Sequence, residues 1–261
     1  MPQLTIVTVT FNDLAGLKRT RASVLAATFH DLEHLIVDGG STDGTVDYLQ
    51  GLPTAVRWSS KPDKGPYDAM NKGATDATGD WIMFLNSGDT LAGPTALAEL
   101  LKAAHNSAAS LVYGDHFHRG KLRRAKPLEE LHHLLEKGDA KGWLRGHPCH
   151  QAVIARAALV KSMPFDLGYR IAADFHWMER VRQLGHQSCS IAHPICRYEP
   201  GGLSSRHFLR CTVEWWKVAK LAVGPQPIVK NHFRKALGRY ARRKCRAKAW
   251  AFLGTWAGLR N

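Results

Sequence analysis

Three acidic, glycine-bearing runs occur in order near the start of the chain: Asp38-Gly-Gly-Ser-Thr-Asp-Gly-Thr45, Asp63-Lys-Gly-Pro-Tyr-Asp-Ala-Met-Asn-Lys-Gly73 and Leu85-Asn-Ser-Gly-Asp89. Each adjoins an apolar run with the character of a buried strand. In an open α/β sheet, ligands bind where strands end at their carboxyl side. Carboxylates gathered there suit a divalent cation and the hydroxyls of a sugar or ribose, not a bare anion. Asp38 can accept hydrogen bonds from a nucleobase N–H or from ribose hydroxyls; the alternative is a plain turn with Asp43 as helix cap. Asp63 and Asp68 flank Gly65-Pro66. Asn71 and Lys72 lie one helical turn beyond Asp68, so the three can share a helix face. Lys72 either meets a phosphate or is simply solvated. Asp89 closes the most apolar run, where a carboxylate is costly unless paired or bound to metal. Asn86 can add a neutral oxygen beside it.

The elements that must position these residues alternate. Strands are expected over 3–10, 32–37, 56–59, 81–85 and 110–113, the last ending near Asp115. Helices are expected over 14–27, from a Thr42-Asp43 cap through Leu49, over 67–76 and over 94–105. This alternation implies βαβ units and a mostly parallel sheet. After Gly114 the pattern weakens. Residues 115–150 are polar and rich in His, Lys and Gly. A strand at 151–154, a helix at 171–184 and short strands at 190–193 and 195–198 follow. Two basic helices, about 205–222 and 228–257, flank Gly224-Pro225-Gln-Pro227.

The chain has 261 residues, 44% of them hydrophobic and 22% charged, as a globular protein does. Its net charge of +14 is unevenly placed: residues 204–261 carry fourteen Lys/Arg against the single acid Glu214, leaving +1 on the rest. Five cysteines, odd in number and without a C-x-x-C pair, argue for reduced thiols and a cytosolic site, and against a disulfide framework. His147, Cys149 and His150 are too close for a tetrahedral zinc site of standard spacing. No signal peptide is read before the first strand, and no apolar run approaches the ~20 residues that span a bilayer. The tail interleaves bases with Phe208, Trp215, Trp216, Phe233, Tyr240, Trp250, Phe252 and Trp256. Cationic aromatic helices suit the surface of an anionic membrane; the alternative is a solvated helix with its Trp side chains on the body. Nucleic acid fits the charge but gives the acidic runs no role.

The order Thr8-Val-Thr-Phe-Asn12, Asp38 to Thr45, Gly65 to Gly73, Phe84-Leu-Asn-Ser-Gly-Asp89, Tyr113-Gly-Asp115, His150-Gln151 and Ala173-Asp174 resembles the family 2 glycosyltransferases, and within them the colanic-acid and exopolysaccharide branch. The resemblance covers about residues 3–204. It implies a GT-A fold, with a nucleotide-sugar half over about 1–115 and an acceptor half over about 116–203; the basic helical tail over 204–261 lies outside the resemblance. It implies inverting transfer from a nucleotide-sugar donor to a glycan or lipid-linked acceptor, assisted by Mn²⁺ or Mg²⁺; with the basic tail, the expected place is the inner face of the cytoplasmic membrane. By position, Thr8, Asn12, Asp38 and Asp63, with Asp68, Asn71 and Lys72, fall to the donor. Asp89 and Asn86 fall to the metal, and Asp174 to the general base. His150 and Gln151 are assigned to the core or the acceptor region. Two departures stand out. One carboxylate of the usual Asp-x-Asp run survives, and the Gln-x-x-Arg-Trp run of processive relatives is absent, which points to one sugar per encounter. A catalytically weak sugar-nucleotide or polyanion binding protein is the alternative, and a nucleotidyltransferase on the same sheet is a third reading.

Overall fold

A computed structural model describes residues 2–198, 202, 206–227, 229–236, 238 and 242. Its frame is one nine-stranded sheet. β1 (Leu4–Thr10) is buried along its whole length. Leu4 and Ile6 enter the core on one face, and Val7 and Val9 enter it on the other. A strand apolar on both faces needs helices on both, so this is a three-layer architecture. Parallel partners β2 (Leu32–Asp38) and β4 (Trp81–Phe84) flank β1, and β3 (Arg57–Ser60) pairs outside β2. Their carboxyl ends therefore lie along one edge.

α1 (Leu14–Leu25) and α4 (Ala96–His105) cover one face of the sheet. α3 (Pro66–Asp76), α5 (Leu128–Glu136), α6 (Ala140–Gly146), α7 (Ala157–Ser162) and α8 (Ala173–Gln183) cover the other. α2 (Thr45–Gln50) closes a small cluster of Leu17, Ile36 and Leu49. Gly73 lets α3 lie close against β1: a Cβ there would come within 2.4 Å of Val7 Cγ1.

The second part of the sheet departs from the expected pattern. β6 (Leu111–His118) runs on past Gly114 and pairs with β7 (Lys121–Arg123). Asp115 is thus not at a strand end but at an irregularity within β6, where it accepts a hydrogen bond from Ala125 N at 2.9 Å. The two short strands expected near the end of the acceptor half are one strand, β9 (Ser188–Tyr198), parallel to β6. The short β5 (Thr90–Leu91) pairs with β9. β8 (Val153–Arg156) runs antiparallel between β4 and β6. Because β8 is antiparallel, the 3-10 turn that precedes it (His150–Ala152) sits where β4 leaves the sheet.

α9 (Phe208–Val223) is the first helix of the basic extension. It packs into the body: Cys211, Thr212, Val218 and Ala219 are buried, and Val218 and Ala219 join the core beneath α5 and α8. Residues 229–236 are helical again, with Val229 and Phe233 in the same core. The remainder of the expected helix over 228–257, including Tyr240, Trp250, Phe252 and Trp256, lies outside the described residues apart from 238 and 242.

Candidate active site

The strand ends open onto a cavity of about 830 Å³. Of the residues singled out in the sequence, Asn12, Asn86, Asp89, His150, Gln151 and Asp174 line it. Thr8, Asp38, Asp63, Asp68, Asn71 and Lys72 do not. Thr8 lies within β1, its Oγ1 2.9 Å from His34 Nε2. Asp38 turns back on its own loop, accepting from Gly40 N, Ser41 N, Ser41 Oγ and Ser60 Oγ. Asp63 accepts from Gly65 N at 2.8 Å. Asp68 caps Lys64 N and pairs with Lys72 at 3.0 Å; these contacts, with the backbone bond as the largest, hold its carboxyl below the usual value. The Asn71 amide clamps the backbone of Phe165 through both its oxygen and its nitrogen. These six shape the loops around the cavity.

Within the cavity, Asn86, His150, Asp174 and Tyr67 form one chain, with the pair Asp89 and Gln151 beside it. Beyond β4 the backbone follows β1 through Leu85 N to Val7 O and Ser87 N to Val9 O, both at 3.0 Å. It then turns back, with Asp89 N bonded to Asn86 O and Gly88 at φ +93, a conformation that favours glycine. The turn places Asn86 and Asp89 side by side. The dipeptide after it in space, His150-Gln151, grips both. Gln151 Nε2 donates to Asp89 Oδ2 at 2.6 Å, and Asn86 Nδ2 lies 3.1 Å from His150 Nε2. The other ring nitrogen of His150 lies 3.0 Å from Asp174 Oδ2. Asp174 Oδ1 meets the Tyr67 hydroxyl at 3.0 Å and Phe175 N at 2.9 Å.

The protons follow from this arrangement. His150 Nδ1–H is given to Asp174, and in the neutral form of the ring the Nε2 lone pair accepts from the Asn86 amide nitrogen. That orientation leaves Asn86 Oδ1 buried without a hydrogen-bond partner. Burial pushes the Asp174 carboxyl up, but hydrogen bonding and charge from His150 outweigh it and hold it below the usual carboxylate value. Burial likewise opposes protonation of His150, and Asp174 reverses the effect, so its pKa lies above the ordinary histidine value. Tyr67, raised well up first by burial and then by Asp174, stays a hydroxyl and a donor. His147, pushed down to about 4 by burial, stacks on Phe175 with ring centroids 3.6 Å apart.

Asp174 is held from outside as well. Glu214 on α9 accepts backbone hydrogen bonds from Arg170, Ile171 and Ala172 at 3.1, 2.8 and 3.0 Å, fixing the segment that leads into α8. Neither Tyr67 nor Glu214 was singled out in the sequence. Tyr67 lies inside one of the acidic runs, and Glu214 is the lone acid of the tail.

A divalent cation fits the donor set without filling it. Asn86 Oδ1 is an unpartnered buried oxygen beside a buried carboxylate, both hard ligands. Among the described residues no group of three or more His, Cys, Asp or Glu is placed to hold a metal. Two protein oxygens suit a cation such as Mg²⁺, which takes the rest of its shell from substrate phosphates and water.

Known proteins agree with this architecture. The family model described as Glycosyl transferase family 2 matches residues 5–163. The chain belongs to the family 2 glycosyltransferases. A glycosyltransferase of Mycobacterium tuberculosis strain H37Rv is 34% identical over 212 residues, 78% of each chain. The PGL/p-HBAD biosynthesis glycosyltransferase of the same strain is 34% identical over 180 residues, 67% of each chain. A mannosyltransferase from Pyrobaculum calidifontis, solved with GDP-Man and Mn²⁺, superposes with a TM-score of 0.65 over 99% of this chain and 80% of its own, at 16% identity. The fold is therefore the GT-A fold, a curled sheet flanked by helices. Asp89-Gln151 and Asn86-His150-Asp174 are the contacts by which this family 2 chain builds its cavity.

Proposed function

We propose that the protein is an inverting glycosyltransferase that moves one sugar per encounter from a nucleotide-sugar to a glycan or lipid-linked acceptor, in the manner of the exopolysaccharide branch. The observation that carries this reading is the Asn86–His150–Asp174 chain, which joins an unpartnered oxygen suited to a metal with a carboxylate suited to a base. Asn12, at the cavity wall, with the loops shaped by Asp38 and Asp63, receives the nucleoside. Asp68, Asn71 and Lys72 hold the helix behind it. Asn86 Oδ1 and Asp89 are the ligands for Mn²⁺ or Mg²⁺. When bound, the cation supplies Lewis-acid neutralisation of charge on the leaving diphosphate. Asp174 stays ionised through His150. Its Oδ2 accepts one hydrogen bond and keeps a lone pair for the proton of the acceptor hydroxyl. A base so placed contributes typically ~10²–10⁴-fold, and attack from its side of the sugar inverts the anomeric centre.

The metal in the Pyrobaculum structure supports a divalent cation. α9 supports a bilayer nearby. Leu209, Val213 and Leu221 are 48%, 40% and 44% exposed on a helix that also carries Arg210, Lys217 and Lys220. No helix among the described residues is long and apolar enough to cross a membrane; the reading is of peripheral attachment at the inner membrane face.

The test is a screen of nucleotide-sugars with Mn²⁺ or Mg²⁺, reading nucleoside diphosphate release and sugar transfer to glycan and lipid-linked acceptors. Transfer that needs the metal and disappears in Asp174→Asn bears the reading out. A second reading, a weakly catalytic sugar-nucleotide binder, draws on the sparse carboxylate set. Tight nucleotide binding with neither hydrolysis nor transfer across the screen would establish it instead.

A further inference from the structure

Resting on the glycosyltransferase reading of this cavity, we infer that its acceptor side is a binding site for an anionic phosphate group carried by the acceptor, separate from the diphosphate of the donor. Five arginines line the cavity: Arg19 from α1, and Arg123, Arg145, Arg170 and Arg206 from the chain after residue 115. Only three carboxylates line it with them, Asp13, Asp89 and Asp174, so the wall is net positive even before its histidines are counted. All three are already engaged, Asp174 by His150. Asp13 caps Gly16 N and receives the Ser87 hydroxyl, and Asp89 receives Gln151.

The excess lies on one side. Of the four arginines contributed after residue 115, none takes part in an ion pair among the described residues. The one carboxylate lining the cavity from that part of the chain is Asp174, which His150 already pairs. A divalent cation offsets the diphosphate of a nucleotide-sugar, so the donor leaves this excess unbalanced. A neutral glycan acceptor would leave it unbalanced too. Guanidinium groups match phosphate oxygens with two parallel hydrogen bonds, and several around one cleft raise the local concentration of an anion.

The position fits an acceptor that arrives at a membrane. Arg206 precedes α9, and Cys211 and Trp215 of α9 line the same cavity, while Leu209, Val213 and Leu221 of that helix face outward. A phosphate between a lipid and its sugar would reach the arginines as the lipid lay along α9, and would present the sugar hydroxyl toward Asp174.

Inorganic phosphate is the probe. The full chain is first titrated with UDP and with GDP in Mg²⁺. Phosphate is then titrated calorimetrically into the protein saturated with whichever nucleotide binds. The expected result is a saturable phosphate site that persists with nucleotide bound. It weakens at least tenfold in Arg145→Gln/Arg170→Gln and changes less than threefold in Arg19→Gln. Phosphate that binds only in the absence of nucleotide is reading the donor site, and overturns the inference; so does the absence of any phosphate binding. Sedimentation with phosphatidylglycerol vesicles separates a bilayer headgroup from an acceptor phosphate. A double variant that loses the vesicles but keeps the phosphate site also overturns it. Failure of both nucleotides to bind would count against the glycosyltransferase reading itself, a result distinct from the others.

Discussion

Asp174 is held at both of its carboxylate oxygens. Its two oxygens meet His150, Tyr67 and Phe175 N, and Asn in its place keeps the shape but not the charge. Asp174→Asn should lower transfer by about 10²–10⁴-fold, with nucleotide affinity within threefold of the parent by calorimetry. An equal loss of both would mean that Asp174 serves the donor. Gln151 is the complementary case. It touches no reacting group, yet it holds Asp89 Oδ2 at 2.6 Å. Partners of metal ligands typically matter by about 10–100-fold in metal affinity. Gln151→Leu should weaken Mn²⁺ binding by about tenfold in an electron paramagnetic resonance titration, activity aside. Much of this was legible because Asn86, Asp89, His150 and Asp174 all sit where elements start or end. Tyr67 was not, because its partner Asp174 lies 107 residues away and an aromatic in an acidic run reads as core. Nor could sequence show that Asp38 would turn its carboxylate onto its own loop, since that depends on how Gly40 and Ser41 fold back.

At the scale of elements, the parallel half of the sheet was readable because β1 and β4 are apolar on both faces and strands alternate with helices. The second half was not, for identifiable reasons. β6 extends beyond its apolar run into His116-Phe-His118, where period and polarity no longer mark a strand. Pro194 suggests a break, yet β9 continues through it because the ladder to β6 is irregular there, opposite Asp115. α5 and α6 are short; they pack on each other, and α5 packs on α9. The most consequential tertiary contact is Glu214 under the loop before α8. Glu214→Ala leaves three backbone N–H groups without their acceptor and should cost about 3 kcal/mol, visible as a lower urea midpoint. It should also lower kcat more than it raises the donor KM, because it displaces Asp174 and leaves the nucleoside loops alone. Glu214→Gln retains an acceptor oxygen and should recover most of both. A variant that lost stability but kept the full kcat would show that the loop does not depend on α9.

The whole molecule is asymmetric in charge and in titration. The charge was read correctly as belonging to residues 204–261, but composition did not show that α9 is built into the core, so removing the extension would remove part of the fold. Its membrane role is better tested by Leu209→Gln/Val213→Gln/Leu221→Gln, three exposed positions. That variant should keep its urea midpoint and lose most of its binding to anionic vesicles. Acid tests the body. Burial pushes His34, His116 and His147 down to about 4 from an ordinary 6.5. Below about pH 6.5 the unfolded chain takes up protons at these rings that the folded chain refuses until about pH 4, so stability must fall as the pH drops through that window. His150, raised by Asp174, works in the opposite sense and offsets part of the loss. Three rings against one should still leave a net loss of several kcal/mol, comparable with the ~5–15 kcal/mol that holds a domain together. Urea midpoints at pH 7.5, 6.0 and 4.5 should decline steadily, and His147→Phe, which keeps the ring stack on Phe175, should flatten the decline. Midpoints level from pH 7.5 to 4.5 would mean that these rings are charged in the folded protein, and that the wall of the cavity beside Asp174 is wetter than its packing indicates.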